Sequence, residues 1–73
     1  MDVEASARAT IAGHPEQVAA WLAARPGAWG FLAGQAVLRE RARLGRRLTE
    51  GERRRVWAVL WAELERLRSG EPG

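Results

Sequence analysis

The last third of the chain is its strongest constraint. Between Thr49 and Arg68 the residues Val56, Trp57, Leu60, Trp61, Leu64 and Leu67 recur at helical spacing. On a helix of 100° per residue they fall within an arc of about 140°. Thr49 and Glu52 stand three apart just ahead of this run. That is the spacing of a capping box, in which the hydroxyl takes the Glu52 N–H and the carboxylate returns to the Thr49 N–H. Glu50 and Arg54 are oriented for an i, i+4 pair, and Arg66 and Arg68 suit the negative end of the helix dipole. The spacing predicts one helix over 50–68 whose apolar stripe marks the core.

Three further helices are expected upstream, and no segment alternates with the period of a strand. Residues 3–12 form an Ala-rich first helix with Val3, Ala7 and Ile11 on one face, ended by Gly13. Pro15 suits the first position of a second helix over 15–25, with Glu16 in its first turn and Val18, Trp21 and Leu22 on its apolar side. Pro26-Gly27 stops it. A third helix over 28–44 carries Trp29, Ala33, Val37 and Leu44 on one flank, Phe31, Leu38 and Ala42 on another, and Gly30 and Gly34 between them. So wide an apolar arc predicts a central helix covered from more than one side. Burial is expected to fade through Arg39, Glu40, Arg41 and Arg43 toward Gly45. The fold class is therefore all-α: a small three- to four-helix bundle with short connections, one domain over residues 1–73, and a tail at 69–73. The second and fourth helices are expected on either side of the third, with the first as a partial cover.

With 73 residues and no Cys, the chain has a marginal core and no disulfide or zinc knuckle to staple it. Four Trp are the obvious filler, at about 150–250 Å² each. Self-association is the other common remedy. Lys, Asn, Tyr and Cys are absent, and Ala, Arg, Gly, Glu, Leu, Val and Trp dominate. The favoured residues mostly have GC-rich codons, which points to a bacterial genome of high GC content. The acidic start, Met1-Asp2-Val3-Glu4, is unlike a secretory signal, and the apolar run Ala28–Leu38 is too short to span a bilayer. A cytoplasmic protein without a membrane segment is expected.

Trp57 and Trp61, with Leu60, Leu64 and Trp29, read first as core filler and second as anchors of a docking surface, since Trp is enriched at binding hot spots. The two roles agree if the core continues into a homodimer. Gly30-x-x-x-Gly34 permits close approach of another helix, either the Trp-bearing helix of the same chain or the same helix of a second copy. The expectation within one chain is that the two helices clasp, with the indoles over residues 30 and 34.

Every cation is Arg. Residues 39–55 hold eight Arg and three Glu, a local +5, against −2 for the remainder. Arg39, Arg43, Arg46, Arg47, Arg53 and Arg54 form a candidate anion-binding face, for phosphates or for the acidic side chains of a partner. Val37 to Gly45 followed by Leu48-Thr49-Glu50 resembles the opening helices of some helix-turn-helix repressors. Those domains then need a short second helix, a tight turn and a recognition helix. Here the Thr49 helix runs on to Arg68, so the reading element is missing.

Catalysis finds little support. One His (His14), one Asp, no Cys and no Tyr make a metal cage or a nucleophile triad hard to build. No Gly-rich phosphate loop is present, and no cofactor is implied. The sequence favours a small helical protein–protein interaction module that associates with itself as a homodimer or with another protein. The alternative is a nucleic-acid-binding or transcription-accessory protein using the Arg-rich 39–55 region.

Overall fold

A computed structural model describes residues 2–70 of the chain; residues 71–73 of the expected tail lie outside the described part. Four helices follow in order: α1 (Val3–Gly13), α2 (Pro15–Leu22), α3 (Ala28–Leu44) and α4 (Glu50–Ser69). No strand occurs among the described residues. The protein is an all-helical bundle, as its patterning requires.

The helix ends follow local chemistry. Asp2 caps α1 by accepting the Ala5 N–H at 2.9 Å. At α4 both halves of the capping box form: the Glu52 N–H donates to the Thr49 hydroxyl at 3.2 Å, and the Thr49 N–H donates to the Glu52 carboxylate at 2.8 Å. Gly45 (φ 71°) and Gly70 (φ 75°) close α3 and α4 in the left-handed conformation that glycine tolerates. Ser69, expected in the tail, is the last residue of α4.

The second helix is three residues shorter than expected. Ala24 takes φ 58°, the one non-glycine residue with positive φ among those described. Its N–H donates to the Trp21 carbonyl and the Arg25 N–H donates to the Ala20 carbonyl, both at 2.9 Å. This is a Schellman stop with alanine where glycine is usual.

The core is built where α1, α3 and α4 meet, with α2 packed mainly on α3. Leu32, Ala36, Val56, Leu60, Leu64, Ala7 and Thr10 are all closed to solvent. The first helix is thus a full member of the core and not a partial cover. Its buried face is Val3, Ser6, Ala7 and Thr10, an i, i+3, i+4, i+7 stripe half made of hydroxyl residues. Those hydroxyls are satisfied. Thr10 donates to the Ser6 carbonyl at 2.9 Å, and Ser6 donates to the Glu40 carboxylate at 2.8 Å. Glu40 is only 5% exposed, so burial on α3 does not fade before the Arg-rich turn. It is carried to the end by a polar link between α1 and α3.

Candidate interaction surfaces

On α4 the buried stripe is Val56, Leu60 and Leu64, spaced by four. Trp57 and Trp61 follow Val56 and Leu60 by one residue, about 100° around the helix. They therefore lean outward from the stripe, 37% and 45% exposed. Leu60 and Leu64 are core residues as expected; the two tryptophans are not. Trp61 stands edge-on between Trp21 and Trp29, with ring centroids at 5.4 and 5.2 Å. Trp21 is the buried member, Trp29 is half-buried, and the Arg68 guanidinium lies 5.1 Å above the Trp21 ring. The cluster ties α2, α3 and α4 together and leaves the Trp61 face in water.

The buried arc of α3 runs through Ala28, Leu32, Ala33, Ala36 and Glu40. Gly30 and Gly34 point the other way. A methyl group added at either would find no packing partner within 4 Å. The expected clasp is thus half right. Trp61 does meet α3, through Trp29, yet neither indole fills the space over the glycines. The reason is geometric: α1, α2 and α4 cover one side of α3 and leave the opposite side open. Phe31 and Leu38 share that open side, 40% and 52% exposed. Phe31 also takes the His14 ring edge-on at 5.1 Å, which places the single histidine against an aromatic at the α1–α2 junction.

The Arg-rich region separates into paired and unpaired groups. Each of its three carboxylates holds one guanidinium: Glu40 with Arg43 at 2.6 Å, Glu52 with Arg46 at 2.7 Å, and Glu50 with Arg54 at 2.9 Å. Arg43 grips Glu40 through both Nε and Nη2, and this contact, with the Ser6 hydroxyl behind it, holds the Glu40 carboxyl below the usual range despite burial. Glu52 accepts two Arg46 N–H groups and the Thr49 N–H, and its pKa is lowered to about 2, chiefly by Arg46. Arg39 is drawn aside, with its Nη2 over Gly13 at the end of α1. The six arginines expected to form one anion-binding face are therefore not equivalent. Arg43, Arg46 and Arg54 serve ion pairs within the chain, Arg39 lies toward α1, and Arg47 and Arg53 are exposed, with no salt bridge among the described residues.

Among the described residues no three of His, Cys, Asp and Glu stand together as a metal-binding group, and no helix is long and apolar enough to cross a membrane. Compared with models of known protein families, with curated proteins and with solved structures, the chain finds no match.

Proposed function

We propose that this chain is a small cytoplasmic interaction module of a high-GC bacterium, without chemistry of its own, that docks onto a second copy of itself. The carrying observation is the open side of α3. Gly30, Phe31, Gly34, Leu38 and Arg41 lie along it at i, i+1, i+4, i+8 and i+11. Each glycine in a helix interior costs about 1 kcal/mol relative to alanine. Among the described residues nothing occupies the room they leave, so no packing between them offsets that cost. Close approach of another helix would.

The occupant best suited is α3 of a second molecule. A two-fold pair presents the same patch from both sides, and each glycine surface then receives the other's backbone. Arg41 argues for an antiparallel pair, because a parallel one would set the two Arg41 side chains against each other. A stable interface buries about 800 Å² per partner, roughly a sixth of the 4795 Å² surface of this chain. Phe31 and Leu38 supply exposed apolar area beside the glycines, and Trp57 and Trp61 on α4 expose a second apolar area.

Sedimentation of the full chain tests this reading. A dimer at micromolar concentration is expected, and Gly34→Arg should leave a folded monomer. A wild-type chain that stays monomeric at high micromolar concentration overturns it. Catalytic and cofactor-dependent roles have weaker support: His14 lies against Phe31, and the buried carboxylate Glu40 is committed to Ser6 and Arg43.

A further inference from the structure

Two depressions flank the α3–α4 end of the bundle, and they differ in charge. One is lined by Asp2, Glu4, Glu40 and Glu52 together with Arg43 and Arg55. The other is lined by Leu38, Arg41, Ala42, Gly45, Arg46 and Arg47 and by no carboxylate. Arg46 is fixed there by its two-pronged grip on Glu52 and by an N–H donated to the Arg47 carbonyl at 2.9 Å. Among the described residues Arg41 and Arg47 have no salt bridge, and Arg53, on the α4 side of the same connector, has none either.

We infer that this second depression is a docking surface for the phosphate backbone of nucleic acid. Three guanidinium groups around one concavity provide planar, always charged donors suited to phosphate oxygens. The α4 N-terminus takes no part, because Glu50 and Glu52 set two carboxylates in its first turn and Thr49 and Glu52 cap it. The site is open to water, where a single ion pair is worth little. An isolated phosphate would gain almost nothing, whereas a strand that places phosphates across Arg41 and Arg47, with Arg46 beside them shared with Glu52, gains from counterion release. An acidic protein is the poorer fit. Its binding would need a desolvated apolar anchor, and the lining offers only Leu38 and Ala42. The lining offers arginines and no Asn, Gln, Ser or Thr, and we assign them to backbone phosphates, which take most protein–DNA hydrogen bonds. The inference does not require self-association; Leu38 and Arg41 also lie on the side of α3 proposed for the dimer, so the two occupants would compete for them.

Fluorescence anisotropy of a labelled short DNA duplex, titrated with the full chain over a range of salt, provides the test. With Arg41 and Arg47 engaged, log K is expected to fall against log salt with a slope of about −2, independent of sequence. Arg47→Glu should weaken binding roughly tenfold at low salt and make the slope shallower by about one unit. Arg25→Glu, at the α2–α3 junction, and Arg55→Glu, in the acid-lined depression, change the net charge equally and should have much smaller effects. Circular dichroism and sedimentation of each variant confirm that fold and assembly state are unchanged. The proposal is overturned if the wild-type chain shows no binding at low salt, or if all three reversals act alike. It is also overturned if polyglutamate competes as well as duplex, which would make the surface one for acidic proteins, or if pyrophosphate competes at similar phosphate concentration, which would make it a small-anion site.

Discussion

The Ser6 hydroxyl of α1 donates to the Glu40 carboxylate of α3 across 2.8 Å of buried space, and Arg43 closes the other side of that carboxylate. Two helices distant in sequence are thereby set in one register. A buried hydrogen bond to a charged group is worth about 1.5–3 kcal/mol, more than a neutral one. Ser6→Ala removes the donor and leaves a partly unsatisfied carboxylate, so the expected loss lies in that range. For a domain of this size 1 kcal/mol shifts Tm by about 4–8 °C. A thermal melt of Ser6→Ala by circular dichroism should therefore show a drop well beyond that of an exposed control such as Ser69→Ala.

Acid should unfold the protein through two carboxylates. Glu40 and Glu52 both titrate below the ordinary carboxylate range in the folded chain, Glu52 at about 2. A carboxylate with a depressed folded pKa stabilises the fold above its unfolded pKa, and that contribution is lost as pH falls through the folded value. Tm should accordingly be level above about pH 5 and decline as the solution is taken from the usual carboxylate range toward pH 2. Glu52→Gln should flatten part of that decline while leaving Tm near neutral pH lower than wild type. An identical acid profile in both proteins would refute the assignment.

Most helix ends were readable because they carry distinct chemistry: Pro15, Gly45 and the Thr49/Glu52 box each fix a boundary by sterics or by a particular hydrogen bond, whereas α2 stops at Ala24, ahead of Pro26-Gly27. What could not be read was which arc of each helix the others would cover. Ser6 and Thr10 look like a solvent face until Glu40 is known to lie opposite and Thr10 is known to bond back to Ser6. Trp57 and Trp61 look like core because they are large, yet a shift of one residue from Val56 and Leu60 is enough to turn them outward. The charge cluster was visible as composition. Its division into paired and unpaired arginines needed the side-chain positions.

The alanine stop of α2 offers a stabilising substitution. Ala24 sits at φ 58° with its Cβ in the crowded left-handed region, a conformation that costs a non-glycine residue about 1–2 kcal/mol. Glycine removes that strain but gains freedom in the unfolded chain, which offsets part of it. Ala24→Gly should therefore raise stability by about 0.5–1 kcal/mol, measured as a higher urea midpoint at unchanged slope. A lower midpoint would mean that the turn is not held in the left-handed form.

The glycines of α3 separate stability from assembly. Ala at position 30 or 34 meets no packing neighbour within 4 Å, so each substitution should stabilise the isolated chain by about 1 kcal/mol through helix propensity alone. If those positions are the seam between two copies, the same methyl groups push the paired helices apart and dimerisation weakens. The double variant Gly30→Ala, Gly34→Ala should therefore melt higher than wild type at high dilution and lose that advantage as concentration rises, because only wild type gains from association. Trp57→Ser is the complementary case. Its half-exposed indole is expected to contribute more to association than to the fold, so sedimentation should shift toward monomer with a modest change in Tm. Melting curves at several concentrations, run for all three proteins, decide the matter: a double variant that is more stable and equally dimeric would place the interface elsewhere.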